Sequence, residues 1–197
     1  FILSHLKQDE EALIAFDHSL TLDPNNVYAL SWKGLTLTLL ERHEEALLVL
    51  DQALALDPDY VDAWYRKGLT LNVLKRNEET LKAFDRALAL DPNKVDVWYQ
   101  KGLTLNVLKR NEEALLAFDR ALALDPNKVD VWYVKGFACY SLQRDEEALE
   151  ALDHVLALNP NHVDAWYRKG LVLSFLKRDE ETLKAFDRAL ALDPNKV

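Results

Sequence analysis

Every proline in this sequence falls on one grid. Pro24, Pro58, Pro92, Pro126, Pro160 and Pro194 stand 34 residues apart, and Gly34, Gly68, Gly102, Gly136 and Gly170 keep the same period. The aromatic pairs Trp64-Tyr65, Trp98-Tyr99, Trp132-Tyr133 and Trp166-Tyr167 follow it too. No glycine or proline is left over to punctuate a second kind of domain, and 5 Gly with 6 Pro are too few for a many-stranded β protein. A period of this length means a small supersecondary unit stacked on copies of itself, since one such unit cannot bury its apolar face alone.

Full units run over 27–60, 61–94, 95–128, 129–162 and 163–196, after a partial unit over 1–26 and before Val197, which starts the next. The expectation is a single solenoid over 1–197. Units 61–94 and 95–128 differ only at Ala63/Val97, Arg66/Gln100, Thr80/Ala114 and Lys82/Leu116, which implies recent internal duplication. The text opens in mid-pattern at Phe1-Ile2-Leu3 and holds no methionine, so a piece of a longer array is expected, with the natural N-terminus outside it. Both ends are expected to expose apolar surface and to permit end-to-end self-association. Phe1–Lys7 is only part of a first helix, and the helix bearing Leu183, Phe186 and Leu190 lacks a following polar cap.

Within a unit, Trp64, Gly68, Leu71 and Leu74 recur at helical spacing, and Leu81, Phe84, Ala87 and Leu88 do so again. Two amphipathic helices are predicted, making the chain all-α. Between them lies Lys75-Arg76-Asn77-Glu78-Glu79, whose bases suit a helix C-terminus. Asn77 is expected to cap the next helix and the glutamates to occupy its first turn. Asp91-Pro92-Asn93 ends that second helix, because proline cannot continue it. Glycine inside a helix costs roughly 0.5–1 kcal/mol relative to alanine, so Gly68 and its equivalents are expected to mark a close approach of two helices.

The 33 acidic residues exceed the 24 basic ones, a net charge of −9 that would repel a phosphate backbone, and no basic stripe offsets it. Nucleic acid is therefore not an expected partner. No apolar run reaches the ~18 residues needed to cross a bilayer, so no membrane partner is expected either. The single cysteine, Cys139, excludes an intramolecular disulfide, and the expected compartment is the cytoplasm.

Trp98, Gly102, Ala114, Phe118 and Pro126 stand at the spacings of a tetratricopeptide repeat, and because the pattern recurs along the whole chain the sequence closely resembles that family. Two departures recur. Lys33, Lys67, Lys101, Lys135 and Lys169 replace the leucine before the glycine. Such a lysine either packs its stem along the seam, with its ammonium in water or on a carboxylate, or forms a ligand-binding basic ladder. Leu37, Leu71, Leu105, Cys139 and Leu173 replace an aromatic beyond the glycine, which suggests an altered core and a buried, inert thiol. In the first full unit Leu30 takes the tryptophan slot and Trp32 sits two residues on, a shift that suggests local repacking.

The resemblance implies a right-handed α-solenoid of stacked antiparallel helix hairpins. Its first helices would line a concave groove for a peptide or a partner helix, as in a non-catalytic scaffold or adaptor. Carried over by slot, the groove residues are Tyr65, Leu69 and Asn72; Tyr99, Leu103 and Asn106; Tyr133, Phe137 and Tyr140; and Tyr167, Leu171 and Ser174. Spacings of four and three put each trio on one helical face. The trio of unit 129–162, the divergent copy, concentrates aromatics and reads either as a hot spot or as drift. The ladder differs from the Lys/Asn/Arg clamp that holds a C-terminal carboxylate in cochaperones of the family. Asp62, Asp96, Asp130 and Asp164 at the groove edge either complement helix dipoles or favour a basic peptide. An alternative is the docking arm of a larger enzyme such as a glycosyltransferase. Those arms carry asparagine two residues before the glycine, where this chain has Trp32, Arg66, Gln100, Val134 and Arg168.

Catalytic, cofactor and metal motifs are not among the readings. Glycines 34 residues apart cannot build a phosphate loop, and His43-Glu44-Glu45-Ala46-Leu47 has leucine where a zinc helix needs its second histidine. His5, His18, His154 and His162 lack ligand spacing and are expected at the solvated surface. Paired glutamates such as Glu78-Glu79 and Glu112-Glu113 point apart on a helix and suit its N-terminus rather than acid–base chemistry.

Overall fold

The computed structural model describes residues 2–195, with side chains from residue 7 onward. The described residues form helices joined by short turns: α1 (Ile2–Leu22), α2 (Val27–Leu39), α3 (His43–Leu56), α4 (Val61–Val73), α5 (Asn77–Leu90), α6 (Val95–Val107), α7 (Asn111–Leu124), α8 (Val129–Ser141), α9 (Asp145–Leu158), α10 (Val163–Phe175) and α11 (Asp179–Leu192). The fold is an all-α repeat solenoid. Two compact units divide at Thr104/Leu105. In the first, α2 packs on α3 and α4 on α5 as hairpins, with α1 against α2 and α3 against α4. In the second, α8 with α9 and α10 with α11 repeat that hairpin, with α7 against α8 and α9 against α10.

The core of each hairpin explains its apolar periods. Phe84, Ala87, Leu88 and Val97 form one buried cluster, and Trp64, Tyr65, Leu69 and Trp98 close over it. A Cβ at Gly68 would overlap the Phe84 ring, itself fully buried, so the close approach expected at this glycine is real. Gly170 meets Phe186 in the same way, whereas Gly136 has more room, with Leu152 Cγ at 3.3 Å. Leu37, Leu71, Leu105, Cys139 and Leu173 are buried as expected. Burial pushes the Cys139 thiol up to about 11, which keeps it protonated and unreactive at neutral pH.

The shared period of tryptophan and proline has a direct cause. Trp64 Nε1 donates to the Pro58 carbonyl at 2.8 Å, and Trp98, Trp132 and Trp166 do the same to Pro92, Pro126 and Pro160. Each indole thereby fastens the turn that precedes its own helix. Inside that turn Asp57 Oδ1 accepts from Asp59 N, and Asp91 Oδ1 from Asn93 N, so the aspartate before proline shapes the reversal.

The inter-helix turn departs from expectation. Asn77 does not cap α5: it is the first helical residue, and Arg76 in the cap position makes no side-chain cap bond. Instead Arg76 Nε and NH2 reach forward to Glu79 at 2.8 and 2.7 Å, a pairing repeated by Arg42 with Glu45 and Arg178 with Glu181. Ahead of it Lys75 holds φ 58°, and Arg76 N donates to the Leu71 carbonyl at 3.0 Å, closing the helix end in a Schellman turn. Glu41, Lys109, Gln143 and Lys177 occupy the same left-handed position. The partial first helix expected over Phe1–Lys7 is not separate, because α1 runs unbroken through Lys7 to Leu22. The apolar surface expected of Phe1–Leu6 lies outside the described side chains.

Candidate functional site

The first helices α4, α6, α8 and α10 carry the twelve expected ligand-facing residues, and none of the twelve is fully buried. Several of them are half engaged in the hairpin. Tyr65 lies 6.1 Å from the Phe84 ring and Tyr167 lies 5.8 Å from Phe186, while Leu69 packs on the Phe84 cluster. Partial burial pushes the Tyr65 phenol up, with Asp96 and Asp62 adding to the effect. Asn106 turns its Oδ1 inward, sealed from solvent without a partner, so that amide oxygen offers no handle at the surface. Asn72 and Leu103 are half-buried, and Ser174 is exposed.

The divergent unit is different in kind. Phe137 on α8 stays 42% exposed, Tyr140 meets Phe175 edge-on at 5.6 Å, and Tyr133 stacks on His162 at 5.0 Å. Arg168 of α10 joins them. Its guanidinium carbon lies 4.8 Å from the Phe137 ring centre and 5.3 Å from that of Tyr133, and its Nε donates to Tyr133 Oη at 2.5 Å. Gly136, Phe137, Tyr140, Leu152, Arg168, Leu171 and Val172 line a crevice of about 10 Å³ there. The structure thus gathers Tyr133, Phe137, Tyr140 and Leu171 around a residue that the spacing argument did not select.

A second set of missed residues stands eight positions beyond the tyrosine slot. Leu39 and Val73 in the first unit, and Val107 and Phe175 in the second, expose most of their apolar side chains at the ends of first helices, Phe175 at 67%. Positions i, i+4, i+7 and i+8 share one helical face, so the period itself could have found them.

Other candidates resolve into structure. Lys33, Lys67, Lys101, Lys135 and Lys169 each hold an aspartate 16 residues back at 2.5–2.7 Å, which makes them paired seam lysines and not a free basic ladder. The four of these whose unit has tryptophan in its regular slot also lie over that indole, 5.2–5.6 Å away. Asp62 pairs with Lys94 at 3.1 Å, and Asp96 and Asp164 are engaged as well, while Asp130 is exposed.

His162, expected in solvent, instead caps α10 by accepting from Ala165 N through Nδ1 at 3.2 Å. His154, though exposed, stacks on Trp132 at 4.1 Å. Two open grooves between neighbouring hairpins, about 520 Å³ beside Asp153, Lys169 and Arg178 and about 320 Å³ beside Asp51, Lys67 and Arg76, are lined by these ion pairs. No cluster of metal-ligating side chains occurs among the described residues, and no helix there is long and apolar enough to cross a membrane. At the C-terminal hairpin Leu183 is 64% exposed, where its equivalent Leu149 is 6% exposed, so the apolar end expected there is present.

Family comparison agrees with the period. Tetratricopeptide repeat profiles match residues 10–60, 40–95 and 75–129, a second one matches 108–169, and a third matches 163–196. No curated protein is similar enough to match. Among solved structures the chain is similar to YrrB, a TPR protein with an unusual peptide-binding site, at 25% identity and TM-score 0.81, over 92% of this chain and 94% of that one. It is also similar in fold to MamA, at 21% identity and TM-score 0.79, over 83% and 95% of the two chains. MamA 41-end from Desulfovibrio magneticus RS-1 gives 22% identity and TM-score 0.76, over 85% and 97%.

Proposed function

The chain belongs to the tetratricopeptide repeat family, and from that premise we propose that it is a non-catalytic interaction scaffold that holds a peptide or a partner helix along the face of its first helices. One observation carries the reading. Phe137, Phe175, Val73 and Val107 present apolar side chains to solvent on the same helical faces as the tyrosine slots, beyond what the hairpin cores use. Apolar and aromatic side chains with hydroxyl and guanidinium groups beside them suit peptide recognition, where aromatic and arginine residues supply most of the binding energy. The peptide-binding site described for YrrB supports the same reading. The repeat period runs unbroken through the Thr104/Leu105 division, which supports treating 1–197 as one array.

The test is selection of peptides from a displayed random library, followed by fluorescence polarisation with the selected sequence. A variant carrying Tyr133→Ala, Phe137→Ala and Tyr140→Ala, confirmed by circular dichroism to be equally helical, is expected to bind at least about tenfold more weakly. A selection that returns no binder, or equal affinity in the variant, overturns the proposal.

A further inference from the structure

This inference rests on the peptide-binding reading and names the chemistry of the ligand. Several described cations without an ion pair, such as Lys75, Arg120 and Arg188, are exposed to solvent. Arg66 on α4 also has no ion pair, yet it is buried. It is only 7% exposed, its guanidinium carbon lies 4.0 Å from the Trp32 ring centre, and NH1 donates to Ser31 Oγ at 2.5 Å. A guanidinium has five N–H donors, and a buried charge normally costs several kcal/mol unless it is paired.

The remaining Arg66 donors are not sealed. Among the described residues the sealed, unpartnered side-chain atoms are Trp32 Nε1, His43 Nδ1 and Asn106 Oδ1, and no nitrogen of Arg66 is one of them. Trp32 Nε1, sealed from solvent, is out of a ligand's reach, so the donors on offer are those of Arg66 alone. Guanidinium donors with no acceptor supplied by the chain are complementary to an anionic oxygen.

The same repeat slot carries Arg168 in the second unit. Its guanidinium lies against Tyr133 and Phe137, with a hydroxyl and no carboxylate as its hydrogen-bond partner. Each unit thus holds an arginine flattened on aromatic rings two residues before the helix glycine. At the other members of this slot, Trp32, Gln100 and Val134, the charge is absent. Asp62, the acid on the same helix as Arg66, pairs with Lys94 at 3.1 Å.

We propose that Arg66 and Arg168 each bind a side-chain carboxylate of the ligand, so that the scaffold selects segments in which Asp or Glu stands next to an apolar residue. The apolar neighbour would lie against Phe137, Tyr140 and Leu171 in the second unit. A net charge of −9 opposes an acidic partner at long range. That field is screened over about 8 Å at physiological salt, so contact at the arginines decides the outcome.

The probe is a set of short synthetic peptide pools, N-acetylated and C-amidated so that no terminal carboxylate is present. Their central residue is fixed as Glu, Asp, Gln, Asn or Lys within apolar flanks, and binding is read by fluorescence polarisation. The Glu and Asp pools are expected to bind about tenfold tighter than the Gln and Asn pools, the gain typical of a charge-assisted hydrogen bond. Arg66→Gln with Arg168→Gln should erase that preference, so that the variant binds its acid pools no more tightly than its own Gln pool. Equal binding of acid and amide pools, or a preference that survives the double variant, overturns this inference and leaves the groove reading standing. Failure of every pool to bind overturns both. If Arg66→Gln does not fold, the wild-type comparison and the Arg168→Gln variant alone decide.

Discussion

At the scale of single residues, the tightest constraint is the contact of Gly68 with Phe84. A methyl group there must displace a fully buried ring, so Gly68→Ala is expected to destabilise the protein by about 1–3 kcal/mol in urea unfolding, despite the better helix propensity of alanine. Gly136→Ala, facing Leu152 across 3.3 Å, should be close to neutral, and equal effects at the two sites would refute the steric account. Lys75 makes the converse point. It sits at φ 58° with an exposed side chain, so Lys75→Gly should stabilise by about 0.5–1 kcal/mol, measured by the same unfolding. The glycine at the helix contact was legible in the sequence because it recurs where helix propensity argues against it. The left-handed residue was not, since no glycine or asparagine marks it and its conformation follows only from the way two packed helices must meet. Arg66 and Arg168 escaped for a related reason: their partners Ser31, Trp32, Tyr133 and Phe137 lie about one repeat away, and spacing within one helix says nothing of contacts between repeats.

At the scale of elements, both helices of each unit were legible from their apolar periods, and the proline that ends the second one from its missing N–H. The start of the second helix was misread at Asn77 because Arg76 takes the cap position, its main-chain carbonyl accepting from Glu79 N and Thr80 N, while its side chain pairs with Glu79. That pair has a testable pH signature. Arg76 holds the Glu79 carboxyl below its ordinary range, as Arg178 does for Glu181. A lowered folded value means the stabilisation is complete above the unfolded carboxylate range, around the ordinary 4.5, and is lost as pH falls through the lowered value. Glu79→Gln is therefore expected to lower the melting temperature at pH 7 and to leave it unchanged in acid below the folded value, as followed by circular dichroism. A difference that persists undiminished in acid would contradict the ion-pair account.

At the scale of the whole molecule, the 34-residue grid was enough to read an all-α repeat solenoid, because a unit of that size must bury its apolar face on a copy of itself. The candidate face was legible only in part. Its tyrosine slots follow the period, yet the structure spends Tyr65 and Tyr167 on hairpin packing and leaves Phe137, Phe175 and Val73 facing solvent. The central claim is that this first-helix face, and not the second-helix face bearing the exposed Leu48 and Leu116, receives the ligand. It is tested most directly by a library-selected peptide carrying a benzophenone photo-crosslinker, with adducts mapped by mass spectrometry. The account predicts adducts on α4, α8 and α10 around Val73, Phe137 and Phe175. Adducts confined to Leu48, Leu116 or the α11 surface at Leu183 would contradict it.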